Sequence, residues 1–132
     1  MKSEARGMFM SKTQIFLPSK SPLCLEKINL HNILKCCFGL SDIEASIFMY
    51  LSENGEKDIK ELSRKFSRDP SVIYRMLQKL IEYRLVTKKL VKSKKGRSYY
   101  IYNSISREKL KKRLEEIIER WYKTVKSFIL TL

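Results

Sequence analysis

An α+β architecture, helical over most of its length, is predicted by three features of this 132-residue chain. Short segments with apolar residues at helical spacing follow one another, each opened by a capping residue and closed by a stop signal. Two β-rich stretches then flank a basic, glycine-containing turn. A long final segment repeats apolar residues at intervals of three and four without a break.

The elements follow in order. Residues 1–12 lack periodicity and read as an arm. Residues 13–17 are β-prone and end at Pro18; residues 19–22 are a turn signal, and 23–28 can form a second strand, so 1–28 is an N-terminal arm able to fold as a β-hairpin. Asn29 is placed to cap a helix over 30–38, with Gly39 as its C′ residue. Ser41 and Glu44 form a capping box, and Ile43, Ile47, Tyr50 and Leu51 share the face of a helix that Asn54-Gly55 stops. Asp58, with Glu61 three residues on, opens the next helix and predicts burial of Ile59, Leu62 and Phe66. Asp69 caps a further helix with Pro70 at its first position, where a missing N–H costs nothing, running to about Tyr83. At 100° per residue, Met76, Leu77 and Leu80 lie within about 60° of Ile73 and form its buried stripe. Ser71, Arg75, Gln78 and Glu82 face the opposite way, flanked by Tyr74 and Lys79. Two such helices across a turn of about three residues are a helix-turn-helix.

Residues 85–91 and 99–103 are then β-rich, joined by 92–98, where Gly96 supplies the permissive backbone of a hairpin turn. A helix-turn-helix followed directly by a basic hairpin is a winged helix, assigned here to residues 29–105. Ser104 or Ser106 caps a last helix over about 107–130, roughly 36 Å long. Residues 106–132 are assigned as a C-terminal dimerisation helix, because their apolar surface is too broad for packing on one domain.

Charge narrows the function. Residues 1–57 hold seven basic and six acidic side chains, a net of +1, whereas 58–132 hold twenty-one and eight, a net of +13. A chain that is 43% hydrophobic can bury a modest core, so this is a basic folded domain and its excess points to a polyanion. The longest apolar run is 47–51, and Glu4, Arg6 and Lys12 interrupt the first residues, which argues against membrane insertion and secretion. Cys24, Cys36 and Cys37 are too few for a disulfide framework and imply a reducing compartment. With His31 as the single histidine, neither a zinc site nor any other cofactor is expected. No phosphate-binding glycine motif is present, so catalysis is not expected.

The order of motifs resembles the archaeal winged-helix transcription regulators of the TrmB-like kind, and most nearly the small fourteen-kilodalton crenarchaeal Lrp-like group. The likeness is carried by residues 37–44 (CFGLSDIE), 71–77 (SVIYRML), 84–86 (RLV) and 95–102 (KGRSYYIY), and extends over about residues 13–132. It implies a homodimer on duplex promoter DNA, dimerised through terminal helices; the expected location is cytoplasmic and nucleoid-associated. Two departures are expected to weaken or re-aim the DNA contact without abolishing it: Ser98 where relatives often have proline after the wing Gly-Arg, and Asp69 at the start of the recognition helix, where a phosphate would otherwise sit.

Duplex DNA is thus the expected partner, with the transcription machinery as a further one. Arg75 and Gln78 are assigned to base edges, Ser71 and Tyr74 to phosphates, and Arg68, Lys79 and Arg64 to the flanks. Lys88, Lys89, Lys92, Lys94, Lys95 and Arg97 load the wing with cations for phosphates or the minor groove. Leu114, Ile117, Ile118, Trp121, Tyr122, Val125, Phe128 and Ile129 are assigned to the dimer seam. Lys111, Lys112 and Arg113 are expected to be solvated, and Tyr99, Tyr100 and Tyr102 to pack. At least one of Cys36 and Cys37 is expected to be a small core hydrophobe, with a redox role as the alternative. Two rival readings stand beside sequence-specific regulation: an architectural, nucleoid-type protein with little sequence preference, and a winged helix that docks on protein.

Overall fold

The structure, a computed structural model, describes residues 28–132, so the arm and hairpin expected before them lie, Ile28 apart, outside the described residues. The chain divides into two units, residues 1–40 and 41–132.

In the first unit, α1 (Leu30–Phe38) begins where the Asn29 side chain accepts the Asn32 amide at 2.8 Å. It ends at Gly39, whose φ of 67° is the left-handed conformation a C′ position requires. Leu34 is fully buried. Cys36 is exposed and Cys37 is the free, half-buried thiol, so neither lies fully in the core. Burial pushes the Cys37 thiol up, which suits packing and not a thiolate sensor.

In the second unit come α2 (Asp42–Asn54), α3 (Ile59–Phe66), α4 (Pro70–Glu82), β1 (Val86–Lys92), β2 (Ser98–Ser104) and α5 (Arg107–Ile129). The expected capping box forms, and α3 opens on a second one. The Ser41 hydroxyl accepts the Glu44 amide at 3.2 Å while Glu44 accepts the Ser41 amide at 2.9 Å. Asp58 and Glu61 repeat the exchange at 2.8 and 3.2 Å. α2 buries Ala45 and Phe48 as well as Ile47 and Leu51, a wider face than its stripe predicts, because α4 and β2 both pack on it. In α3 only Leu62 is fully buried; Phe66 sits edge-on to Tyr50, ring centroids 5.8 Å apart.

β1 and β2 pair antiparallel from Val86–Ser104 at the base to Lys92–Ser98 near the tip. A third, one-residue rung joins them: Lys57 exchanges two backbone hydrogen bonds with Tyr102, at 3.0 and 2.8 Å. A single residue has no periodicity, so this rung is invisible to a pattern search. It ties the loop between α2 and α3 to the hairpin. Tyr102, 1% exposed, then closes the core beside Leu85 and Val86.

Candidate nucleic-acid interface

The helix-turn-helix turn is residues 67–69. Ser67 takes the left-handed conformation (φ 52°), the Arg68 amide reaches back to the Ser63 carbonyl at 3.2 Å, and the Ser63 hydroxyl donates to the Arg68 carbonyl. α4 then starts at the Asp69 carboxylate, which accepts both the Ser71 amide at 2.9 Å and the Ser71 hydroxyl at 2.8 Å. The Ser71 bonds hold the Asp69 carboxyl below the usual carboxylate range. An anion thus already occupies the helix start, and the hydroxyl proton assigned to a phosphate is engaged within the chain. Ser71 can meet DNA only as an acceptor, which a phosphate does not need.

The outer face of α4 differs from its wheel at two more positions. Gln78 is only half-exposed, and its side-chain oxygen is buried without a hydrogen-bond partner. Lys79 donates to Glu44 at 2.9 Å, its side chain 35% exposed, bridging α4 to the start of α2. Burial pushes the Glu44 carboxyl up, but the Ser41 amide and the Lys79 ammonium outweigh it and hold the carboxyl below its ordinary range. That leaves Arg75 and Tyr74. Both are exposed, and the Arg75 guanidinium has no hydrogen-bond or ion-pair partner among the described residues. Arg64 and Arg68 are exposed beside the turn, the latter reaching only its neighbour's carbonyl at 3.4 Å.

Because folded Glu44 keeps its charge to lower pH than an unfolded glutamate, its contribution is complete above the usual carboxylate range. It is lost as pH falls through the folded value. Glu44→Gln keeps a capping side chain and removes only the charge, so it should cost about 1 kcal/mol at neutral pH. Thermal melts between roughly pH 7 and pH 3 should show the variant's deficit shrinking with acid. A deficit constant with pH would remove charge from the role of Glu44.

α4 ends in a Schellman turn, with Arg84 in the left-handed position (φ 61°) and the Leu85 amide bonded to the Leu80 carbonyl at 2.9 Å. Arg113 of α5 donates to the Tyr83 carbonyl there, so it is a structural cation at a helix C-terminus and not a solvated one. Burial and the neighbouring Arg84 lower the Arg113 guanidinium from its ordinary value, and Glu116 opposes them.

In the wing, the turn is held by the Ser93 amide to the Arg97 carbonyl at 2.7 Å and by Gly96 at φ 83°. Lys92, Lys94, Lys95 and Arg97 are all exposed. Lys89 lies 3.8 Å from Glu56, and Lys88 sits over the Tyr100 ring. Of the three tyrosines expected to pack, only Tyr102 does; Tyr99 and Tyr100 are 42% and 44% exposed. Burial, with the Tyr74 and Tyr100 phenols nearby, pushes the Tyr102 phenol up.

α5, capped by Ser106 accepting the Lys109 amide at 3.2 Å, buries only Leu110 fully. Leu114, Ile117 and Val125 are half-exposed, whereas Ile118, Trp121, Tyr122, Phe128 and Ile129 are each more than half exposed. Among the described residues no helix is long and apolar enough to cross a membrane.

Comparison with known proteins places this arrangement among regulators. The family model described as "sugar-specific transcriptional regulator TrmB" matches residues 34–108, more than half of the chain. A protein of Methanocaldococcus jannaschii without a characterised function is 30% identical over 105 residues, covering 80% of this chain and 87% of that protein. Among solved structures, a protein of Methanosarcina mazei described as a possible transcriptional regulator superposes with a TM-score of 0.72 over 92% of this chain and 98% of its own, at 18% identity. A protein of Sulfolobus tokodaii gives 0.59 over 71% of this chain and 92% of its own, at 23% identity. These two likenesses speak for the fold.

Proposed function

Since the chain belongs to the TrmB family of winged-helix transcriptional regulators, we propose that it acts as a homodimer on duplex DNA, with α4 in the major groove and the hairpin on the backbone or minor groove. The observation that carries this reading is the exposed Arg75 guanidinium on the outer face of α4, unpaired among the described residues, followed in the same unit by a wing tip of three exposed cations, Lys94, Lys95 and Arg97. A free guanidinium can take a guanine edge in two hydrogen bonds, and each wing cation that neutralises a phosphate releases counterions. Tyr74, Arg68 and Lys92 complete the contact. Lys79 serves mainly to brace α4 against α2, and Ser71 and Gln78 take lesser parts.

Two variants separate reading from positioning. Arg75→Ala should weaken binding to the operator by about 1–3 kcal/mol and affect a scrambled duplex less. Lys94→Ala combined with Lys95→Ala should weaken both duplexes alike and flatten log K against log salt by about 0.9 for each phosphate that is no longer neutralised. Equal weakening of both duplexes by Arg75→Ala would make Arg75 a phosphate clamp.

One observation favours a second reading, an architectural protein with little sequence preference. With Ser71, Gln78 and Lys79 engaged or turned inward, α4 offers few groups for base edges while the wing cations stay exposed. Competition between promoter and random DNA at two salt concentrations decides: a ratio of about 10³ or more supports a regulator, and one near unity supports architecture.

A further inference from the structure

Beyond its base, the hairpin carries an apolar pair that its own unit leaves exposed. Leu90 pairs with Tyr100, and Lys88 with Tyr102, so these side chains share one face, the one that buries Val86 and Tyr102 at the base. Further out on that face Leu90 is 58% and Tyr100 44% exposed. Lys92 shares the face, and Lys88 holds its ammonium 4.5 Å from the centre of the Tyr100 ring.

Leaving Leu and Tyr side by side in water forgoes the burial that either residue could gain against a partner. The charge around them selects that partner. From residue 88 to 97 the chain has six cations and no acid, which suits an apolar surface rimmed by anions. The minor groove of duplex DNA is such a surface, with sugars and base edges between two rows of phosphates. Lys88 and Lys92 each lie two residues, roughly 7 Å, along the strand from Leu90. That is about two nucleotide spacings of 3.4 Å.

We propose that Leu90 and Tyr100 form an apolar wedge that enters the minor groove and partly unstacks a base step, while Lys88 and Lys92 hold the phosphates on either side. The proposal rests on the DNA-binding reading above and adds a deformation of the duplex to it. Wedges of this chemistry open a step and kink the helix axis, and flexible pyrimidine–purine steps yield most easily.

The test uses the full chain and duplexes carrying 2-aminopurine at a pyrimidine–purine step, with end-to-end energy transfer as a second readout. Saturating protein should raise the 2-aminopurine fluorescence and shorten the end-to-end distance. Leu90→Ala and Tyr100→Ala, both at exposed positions, should each lose these signals and bind about tenfold more weakly, with the salt slope unchanged. Lys94→Ala with Lys95→Ala should do the reverse, flattening the slope and keeping the fluorescence rise. Tight, salt-dependent binding of a straight, fully stacked duplex would overturn the wedge alone, as would unstacking that persists in both apolar variants. Absence of any duplex binding at low salt would overturn the DNA-binding reading itself, and the wedge with it.

Discussion

Truncation after Ile117 is expected to yield monomer, or protein that precipitates, and to lower affinity for a duplex with two half-sites by about 10²–10⁴-fold. The reason lies in where α5 stops packing on its own unit. Leu110 is buried and Arg113 is bonded to the end of α4, whereas Trp121 is 54% and Phe128 64% exposed, with Tyr122 and Ile129 between them in the same range. Large apolar side chains left exposed along one helix point to an interface. In the proposed homodimer a second copy would cover them, and a two-fold pair would present two recognition helices to successive major-groove turns about 34 Å apart. Removing the second half turns bivalent binding into two independent weak events. Sedimentation and titration against one- and two-site duplexes check the result. A soluble dimer after truncation would remove the C-terminal part of α5 from the interface.

Tyr102→Ala should cost about 3–5 kcal/mol, enough to threaten the fold of so small a unit. The ring is almost wholly enclosed, and the backbone of the same residue carries the Lys57 rung and faces Lys88 across the hairpin. Loss of the ring opens a cavity where α2 meets β2, while the backbone rung to Lys57 is kept. Tyr102→Phe keeps the ring and should stay within about 1 kcal/mol of the parent. Urea melts of both variants distinguish a packing role from a hydroxyl role. An alanine variant as stable as the phenylalanine one would mean that the ring does not anchor the wing.

Tyr102 and Trp121 show how far the fold is legible in the sequence. Tyr102 sits in a β-rich stretch whose partner strand and turn are recognisable from β propensity and Gly96, because hairpins are local. Trp121 belongs to an unbroken helical pattern, and its excess apolar surface is countable from spacing alone. The face of α4 is less legible. A helical wheel aims Gln78 and Lys79 outward, but a wheel knows only the angle about one axis. What an ammonium reaches depends on the neighbouring helix, and Glu44 lies thirty-five residues earlier. Arg113 illustrates the same blindness: among the lysines of α5 it looks solvated, yet it meets the Tyr83 carbonyl thirty residues away. Ser71 is a different case, since Asp69 two residues before it is a capping acid whose carboxylate competes for the same hydroxyl, and that signal is local.

By itself the sequence determined the element order, the caps, the basic wing and the unused apolar face of α5, because each rests on residues within a few positions of one another or on summed charge. Tertiary structure alone decided which α4 side chains remain free for a ligand, that Lys57 adds a rung to the hairpin, and that Leu90 and Tyr100 stand exposed together beyond the core. Those outcomes depend on which surfaces meet across long stretches of chain, and hydrogen bonding and burial between distant residues leave no period in the sequence.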